Sequence, residues 1–491
     1  MKIYIKDHKF QYEIENLCRV FFPNEKLVID DLCTDIDEYS EYIYTQRKKL
    51  DYEDELIARV KLDDREVEKT CTVNSLTPEF DDECERSLAI LIFDILSELT
   101  GVTPPWGILT GVRPIKLMRK LINQHGEEYA KEYFKQKLLV SDNKINISLD
   151  TMKVEQKILD MSKDNSYSLY VSIPFCPTRC SYCSFVSQSV EKSKKLIPEY
   201  LDYLCREIEL TANIANALGL NLETIYVGGG TPTTLDAEQL NRLLDVIGRN
   251  FDIKKCKEFT VEAGRPDTIS EDKLIVLKNA GVTRISINPQ SLNDEVLETI
   301  GRKHTSQQTL DAFNMARKCG LNNINMDLIA GLPGDTYDSF CNTLNRITKL
   351  SPESITIHTL AMKKSSNLTS QGKKLMSNEA METSNMLDFA QKLLVDNGYA
   401  PYYLYRQSRM VGNLENIGWA KKGYESLYNV YIMDETHTIL ACGAGAVTKL
   451  KDPKSSYLER IFNFKFPYEY ISRFGEMVER KKQVNLFYDK L

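Results

Sequence analysis

Long hydrophobic runs and an excess of positive charge are both absent from this sequence. The longest apolar stretch, Leu88–Leu96, is interrupted by Asp94 and falls well short of the roughly 18 residues that a membrane helix needs. A net charge of −7 argues against a general affinity for nucleic acid. The segment that begins at Met1 contains neither a long apolar core nor a small-residue cleavage site, so we expect no signal peptide and a cytoplasmic protein.

A disulfide framework is not indicated either, although the chain has 12 cysteines. In a large chain without a secretory signal, cysteines are typically reduced thiols or metal ligands. Only Cys176, Cys180 and Cys183 are clustered. The other nine are scattered and are typical of small buried hydrophobic residues: Cys18, Cys33, Cys71, Cys84, Cys205, Cys256, Cys319, Cys341 and Cys442.

The length of 491 residues suggests about three domains. Residues 1–165 combine short strand-like runs with a helical pattern at Asp82–Leu99, which predicts an α+β N-terminal domain of unknown role. Residues 166–382 are expected to form the central domain. Residues 383–491 are expected to form a small α+β C-terminal domain that covers the substrate.

Six strand-like runs alternate with helical stretches in the central region. Six β–α units in succession imply a parallel sheet with right-handed crossovers, and six are too few for a closed eight-fold barrel. We therefore predict an α/β fold with an open, partial (β/α)6 barrel, whose ligands bind at the carboxyl ends of the strands. The predicted strands are Leu169–Phe175, Thr224–Val227, Glu258–Val261, Arg284–Asn288, Asn325–Ile329 and Ser354–His358.

The C-terminal region is less regular. A helical pattern covers Asn385–Asn397, and strand-like runs follow at Tyr431–Met433 and Thr438–Ala441.

The three clustered cysteines follow the first predicted barrel strand directly. Iron–sulfur clusters are normally held by four cysteines, so three would leave one iron without a protein ligand. The amine and carboxylate of S-adenosylmethionine (SAM) could chelate that iron, and an electron from the cluster would then cleave the sulfonium to a 5′-deoxyadenosyl radical. A zinc site or three incidental thiols are the alternatives, but zinc sites usually add another nearby cysteine or histidine, and the nearest histidine here is His125.

The spacing C-x3-C-x2-C, with Tyr182 before the third cysteine, resembles the signature of the radical SAM superfamily. The flanks Ile173-Pro174-Phe175 and Ser184-Phe185 resemble the branch of oxygen-independent coproporphyrinogen III oxidase. Two further stretches are similar to the longer coproporphyrinogen dehydrogenase subgroup with an added N-terminal domain: Leu109-Thr110-Gly111-Val112-Arg113-Pro114 and Met410-Val411-Gly412-Asn413-Leu414-Glu415-Asn416.

Polar or glycine residues follow the other predicted strands, as a ligand at the strand ends requires. Glycines let a backbone approach a ligand closely, and Asp327 inside an apolar strand is costly unless it has a partner. A plain turn, a salt-bridged Glu262, a core Tyr170 and an Arg302 paired with a helix glutamate are the structural alternatives. The resemblance implies SAM contacts from Tyr170, Gly229, Gly230, Thr231, Glu262, Gln290, Arg302 and Asp327, and catalytic roles for Tyr170 and Arg302.

The reaction that the resemblance implies is oxidative decarboxylation of two propionates of coproporphyrinogen III to vinyl groups, which gives protoporphyrinogen IX. The substrate carboxylates need cations, for which Arg113, Arg302 and Arg406 are candidates. The expected partners are a tetrapyrrole, a low-potential electron donor and a final electron acceptor. We expect a monomer, with neither a nucleic acid partner nor a membrane span, that works in an anaerobic setting.

One position departs from the oxidase pattern. The oxidases carry a fourth cysteine two positions after the third, where this chain has Phe185. The related heme chaperone shares this replacement, but its C-terminal histidine–asparagine motif is not reproduced by Tyr428-Asn429-Val430-Tyr431-Ile432-Met433. A heme or tetrapyrrole carrier, and a radical SAM methyl transfer to a tetrapyrrole, therefore stay open as alternatives.

Overall fold

The computed structural model of the protein describes residues 1–23, 25–30, 41–183, 187–361, 378–407 and 410–490. Cys33 and Phe185, both singled out above, lie outside these ranges. None of the helices in the described ranges combines the length and the apolar content needed to cross a membrane.

The N-terminal region is a five-stranded mixed sheet with two helices. Its elements are β1 (Lys2–Lys6), α1 (Gln11–Phe21), β2 (Val28–Asp30), β3 (Tyr42–Lys49), β4 (Glu53–Leu62), β5 (Arg65–Asn74) and α2 (Phe80–Thr100). The strand order is β2-β1-β3-β4-β5, and β1 runs parallel to both of its neighbours. Helices α1 and α2 share one hydrophobic core with the sheet, to which Ile14, Leu88 and Ile92 contribute.

Three helices connect this sheet to the rest of the molecule: α3 (Pro114–His125), α4 (Glu127–Glu132) and α5 (Asp142–Leu159). Helix α3 begins at Pro114 because proline is well suited to the first position of a helix, where no backbone hydrogen bond is lost. Met118 of α3 and Ile145 of α5 belong to the same large core as the central sheet.

Six parallel strands form the central barrel and confirm the predicted α/β fold. They are β6 (Ser166–Ile173), β9 (Asn221–Gly229), β10 (Glu258–Glu262), β11 (Arg284–Ser286), β12 (Ile324–Ala330) and β13 (Ser354–Thr359), hydrogen-bonded in that order. Two short strands, β7 (Phe175–Cys176) and β8 (Gln188–Ser189), pair beside the cysteine loop.

Helices follow the barrel strands as predicted. They are α6 (Val190–Ser193), α7 (Ile197–Ala217), α8 (Ala237–Asn250), α9 (Glu271–Asn279), α10 (Asp294–Thr299), α11 (Ser306–Lys318) and α12 (Tyr337–Leu350). Helices α8 and α11 begin with capping boxes, formed by Asp236 with Gln239 and by Thr305 with Gln308. Each box satisfies backbone N–H groups that the first helical turn leaves unpaired.

The C-terminal elements extend the barrel sheet to eleven strands. They are α13 (Asn378–Asp396), β14 (Ala400–Arg406), β15 (Glu415–Ala420), α14 (Leu427–Asp434), β16 (Thr438–Cys442), β17 (Val447–Lys451), β18 (Leu458–Phe462), α15 (Pro467–Ser472) and α16 (Phe474–Tyr488). Strand β15 pairs antiparallel with β13, whereas β16 pairs in parallel with β6. The division of the chain at residues 165 and 382 stays a prediction.

One predicted strand is wrong. The run Tyr431–Met433 lies inside helix α14, which begins after Ser426, whose hydroxyl accepts a hydrogen bond from the Asn429 amide. A short apolar run fits either a strand or a buried helix, and here Tyr428, Val430 and Tyr431 are all buried. Ser426 favours the helix because it caps the helix N-terminus.

Candidate active site

The loop that follows β6 carries Cys176, Cys180 and Cys183. It is anchored on the segment after α10, because the Ser181 amide donates to the Ile300 carbonyl at 3.0 Å. A tight turn, closed by the Cys183 amide and the Cys180 carbonyl at 3.2 Å, brings the second and third cysteines together. No disulfide forms among the cysteines of the described residues. All three thiols face one cavity of about 350 Å³.

That cavity gathers nearly all of the predicted site residues at the carboxyl ends of the barrel strands. Among the residues predicted to bind the cluster or SAM, Tyr170 alone does not line it. The residues that do are Cys176, Cys180, Cys183, Gly229, Gly230, Thr231, Glu262, Gln290, Arg302 and Asp327.

The glycine run at residues 228–230, at the end of β9, packs directly on the cysteine loop. A Cβ atom on Gly230 would lie 2.6 Å from the Phe175 carbonyl oxygen, so no larger residue fits there without displacing the loop. The Thr231 amide donates to the same carbonyl at 2.8 Å, and the Thr231 hydroxyl donates to Cys176 Sγ at 3.5 Å. The glycines thus set the distance between strand β9 and the cysteines.

Glu262 ends strand β10 and is held by a tyrosine that sequence reasoning missed. The Tyr226 hydroxyl donates to Glu262 Oε1 at 2.5 Å. Burial raises the pKa of Glu262 to about 7, although the hydrogen bond from Tyr226 opposes this shift. Tyr226 faces the cavity from β9, two residues before the glycine run.

Gln290 and Asp327 are joined through their backbones, since the Gln290 amide donates to the Asp327 carbonyl at 2.9 Å. Gln290 has a φ of +69°, a strained conformation for a residue other than glycine, and its buried Oε1 accepts no hydrogen bond from the described residues. Such an orphaned acceptor at a cavity wall suits a ligand donor.

The Asp327 carboxylate has protein partners on strands β12 and β13. Asn325 Nδ2 donates to Oδ1 at 2.7 Å, and His358 Nε2 lies 3.8 Å from Oδ2. Burial alone would raise the pKa of Asp327, but its hydrogen bonds and the His358 charge outweigh burial and lower it. His358, at the end of β13, is a second cavity residue that sequence reasoning missed.

Arg302 is buried and is fixed by the cysteine loop rather than by a helix glutamate. Its Nη2 donates to the Tyr182 hydroxyl at 3.0 Å and its Nη1 donates to the Asn288 carbonyl at 2.6 Å. Tyr182 is the aromatic residue before the third cysteine. The motif tyrosine therefore positions the guanidinium at the cavity wall.

Tyr170 lies beside the site rather than in it. Its ring stacks with Tyr226, with 6.2 Å between centroids, and with Tyr428 at 6.3 Å. Tyr170 and Tyr226 are register partners on β6 and β9, and Tyr226 is the one that faces the cavity. Burial raises the pKa of the Tyr170 hydroxyl.

Arg265 is a further cavity residue that the sequence pattern did not single out. It follows β10 and is 3% exposed. Its guanidinium forms a bidentate pair with Asp267, and its Nη1 reaches the Thr178 hydroxyl at 3.1 Å. It lies three residues after Glu262. A search that included the first few residues after each strand, and not only the strand's last residue, would have identified it.

Part of the cavity wall comes from the C-terminal elements. It consists of aromatic, amide and methionine side chains, which no spacing in the sequence links to the cysteines: Tyr403, Tyr405, Gln407, Asn416, Asn429 and Met433.

The other two arginines that were proposed for substrate carboxylates, Arg113 and Arg406, do not line the cavity. Arg113 pairs with Glu435. Arg406 is buried, donates to the backbone carbonyls of Leu109 and Asn413, and has its pKa lowered to about 10 by burial. Its own amide donates to the Val112 carbonyl at 2.9 Å. Arg406 therefore joins the two stretches that resemble the long dehydrogenase subgroup.

The chain is similar to several known proteins. Residues 170–347 match the family described as Radical SAM superfamily. "Oxygen-independent coproporphyrinogen-III oxidase-like protein HemZ" of Bacillus subtilis (strain 168) is 40% identical over 404 residues, which are 81% of this chain and 80% of the relative. "Heme chaperone HemW" of the same organism is 33% identical over 61% of this chain and 77% of its own length. The solved structure of coproporphyrinogen III oxidase (HemN) from Escherichia coli superposes with a TM-score of 0.49 and 23% identity, over 66% of this chain and 72% of that one.

A parallel barrel whose first strand leads into this three-cysteine loop, in a chain that matches the superfamily, is a radical SAM protein. The chain belongs to the oxygen-independent coproporphyrinogen-III oxidase-like family that includes HemZ. Its cofactors are a [4Fe–4S] cluster and SAM, as in the superfamily. The cavity fits both groups, with three thiols, a glycine wall and an orphaned Gln290 acceptor. In the described ranges, no group of three or more histidine, cysteine or acidic side chains is arranged around a single metal ion. The assignment of the cluster to Cys176, Cys180 and Cys183 therefore rests on their spacing and on the family.

Proposed function

We propose that this protein is an oxygen-independent coproporphyrinogen III dehydrogenase of heme biosynthesis. The observation that carries the proposal is a single cavity in which the cysteine loop and the predicted SAM residues face a wall of C-terminal aromatic and amide side chains. Such a wall suits a large, partly apolar ligand with polar edges. The similarity over most of both chains to HemZ, an oxygen-independent coproporphyrinogen-III oxidase-like protein, supports the same reaction.

Each predicted site residue that lines the cavity has a proposed role. Cys176, Cys180 and Cys183 bind the cluster. The backbone of Gly229, Gly230 and Thr231 receives the SAM amino group, Glu262 and Asp327 accept from ribose hydroxyls, and the Gln290 acceptor takes a donor of SAM. When bound, the cluster and SAM supply a carbon-centred radical that removes hydrogen from an unactivated C–H bond.

Arg302 is the proposed catalytic cation, because its guanidinium is the one of the three predicted arginines that faces the cavity. Tyr170 acts through Tyr226, against which its ring stacks. In the proposed reaction one hydrogen atom leaves the side chain of a propionate, and carbon dioxide and one electron follow, so that a vinyl group remains. Two propionates react in turn, and an electron acceptor takes one electron from each.

The test is a product assay without oxygen. The reconstituted protein is given SAM, a reductant and coproporphyrinogen III, and the expected products are tri- and dicarboxylate porphyrins. SAM cleavage with no change in the porphyrin would overturn the proposal. A methylated tetrapyrrole would identify the protein as a methyltransferase instead.

A heme carrier is the second candidate, and two observations favour it: the identity to HemW and Phe185 in place of the oxidases' fourth cysteine. Heme added to the protein without SAM would then give a stoichiometric absorption change. Under this candidate the product assay above gives no decarboxylated porphyrin.

We further propose a cytoplasmic monomer that works without oxygen and takes electrons from a low-potential donor. Residues 383–491 would cover the substrate, since β14, β15 and α14 supply part of the cavity wall.

A further inference from the structure

Arg265 is a buried cation at the edge of the cysteine loop. It lies between the end of β10 and helix α9, and its guanidinium is held on two sides by Asp267. Nε donates to Oδ1 at 2.9 Å and Nη2 donates to Oδ2 at 2.8 Å. A bidentate pair of this kind fixes the plane of a guanidinium.

Asp267 is ionised in this pair. Burial would raise the pKa of its carboxyl, but the hydrogen bonds and the charge of Arg265 outweigh burial and bring the pKa below its ordinary value. His304 Nδ1 lies 4.0 Å from Asp267 Oδ1 on the far side. The carboxylate therefore directs the remaining nitrogen of Arg265 away from itself, toward the cysteine loop.

That remaining nitrogen, Nη1, has two partners on the loop. It donates to the Thr178 hydroxyl at 3.1 Å and to Cys180 Sγ at 3.9 Å, within the distance of a hydrogen bond to sulfur. Cys180 is itself 9% exposed, so water screens this interaction little. The hydrogen bond to Thr178 holds this nitrogen beside the cysteine loop.

A cation fixed beside a cluster ligand affects electron transfer more than it affects structure. The reduced cluster carries one more negative charge than the oxidised cluster. A nearby positive charge and a hydrogen bond to a ligand sulfur both favour the reduced form, and these are the terms that set the potential of iron–sulfur centres.

We propose that Arg265 tunes the [4Fe–4S] cluster by donating to the Cys180 thiolate, and that Asp267 positions Arg265 for this contact. Arg265 thereby raises the reduction potential of the cluster and makes the electron from the donor easier to accept. The inference rests on the proposed assignment of Cys180 as a cluster ligand.

The test compares anaerobically reconstituted full-length proteins. The ratio of reduced to oxidised cluster is read by electron paramagnetic resonance in a mediated titration with dithionite. At a fixed solution potential, Arg265→Gln is expected to lower this ratio by about threefold or more, with iron and sulfide per chain unchanged. Arg265→Lys keeps the charge and should lie closer to the wild type. Asp267→Asn loosens the arginine but also removes a negative charge, which opposes the effect, so the ratio should fall less than in Arg265→Gln.

Arg249→Gln is the matched control, because it removes one positive charge from an exposed position on α8. It should leave the titration unchanged. A wild-type titration curve for Arg265→Gln would overturn the proposal, as would equal shifts for the Lys and Gln variants.

If Arg265→Gln does not retain a cluster, the test rests on Arg265→Lys and Asp267→Asn. Wild-type titration curves for both of these variants would also overturn the proposal. A wild-type protein that holds no cluster would instead overturn the cysteine assignment itself.

Discussion

The Tyr226 hydroxyl donates to Glu262 Oε1 at 2.5 Å, across two neighbouring parallel strands. The tyrosine ring stacks on Tyr428 of helix α14, with 4.4 Å between centroids. The proposed ribose acceptor is therefore connected to the C-terminal region through one aromatic side chain. The buried Glu262 carboxyl gives the site a measurable pH dependence.

SAM affinity should increase with pH in the wild-type protein. Burial raises the pKa of Glu262 to about 7, so the carboxyl is protonated below that pH and ionised above it. The ionised form accepts stronger hydrogen bonds from Tyr226 and from a ribose hydroxyl than the protonated form does. We expect affinity to rise by about tenfold between about pH 6 and pH 8, measured by calorimetry with buffer correction.

Tyr226→Phe should move this transition to higher pH. The tyrosine hydrogen bond stabilises the ionised carboxylate and holds its pKa down, so its loss lets burial raise the pKa further. Tyr428→Phe is the matched control, since it keeps the stacked ring. Identical transitions for the Tyr226 and Tyr428 variants would contradict the role of this hydrogen bond.

Each of the three clustered cysteines should be necessary for the cluster. Alanine at Cys176, Cys180 or Cys183 is expected to lower the iron content and to abolish SAM cleavage, because a fourth thiolate is not available to compensate at Phe185. Cys319→Ala, at the end of α11, should behave like the wild type. A Cys180→Ala variant with full iron and normal SAM cleavage would contradict the assignment.

Much of the site followed from the position of residues relative to strands. Parallel strands bring their carboxyl ends to one edge, so Glu262, Gln290 and Asp327 were expected to converge, and they line one cavity. The six strands could be predicted because each is a short apolar run between helical patterns. The glycine run after β9 was recognisable for the same reason.

The remaining site residues depend on packing that a linear pattern does not contain. Tyr170 and Tyr226 are register partners on neighbouring parallel strands, so the alternation of side chains along a strand could not show that Tyr226 lines the cavity and Tyr170 does not. Tyr403 and Tyr405 reach the site only because β14 pairs with β15, which in turn pairs with β13. Tyr431–Met433, which lies in helix α14, was predicted as a strand because this apolar run is too short to show a period.

Gly230→Ala should disturb the cysteine loop. The new Cβ would lie 2.6 Å from the Phe175 carbonyl oxygen, which is backbone and cannot move independently of Cys176. We expect a loss of about 1 to 3 kcal/mol in the free energy of unfolding and weaker SAM binding. Gly248→Ala is the control, since nothing lies within 4 Å of its added Cβ and alanine favours the α8 helix. Equal stability for the two variants would contradict the close packing.

The last prediction concerns a buried ion pair that joins the N-terminal segment to the cavity wall. Lys144 Nζ and Trp106 Nε1 donate to the two carboxylate oxygens of Glu415, each at 2.7 Å, and the Glu415 side chain is fully buried. The next residue, Asn416, lines the cavity and accepts from the Thr359 amide at 2.8 Å. The pair thus anchors one cavity wall to helix α5.

Lys144→Met should therefore be strongly destabilising, by about 3 to 5 kcal/mol, because it leaves the Glu415 charge buried and without its cation. The double variant Lys144→Met/Glu415→Gln removes both charges and keeps an acceptor for Trp106, so it should recover part of the loss. Urea unfolding of the four proteins in this cycle measures the coupling, and Lys131→Met, on an exposed pair, should change little. A double variant no more stable than Lys144→Met would show that packing, rather than the uncompensated charge, sets the cost.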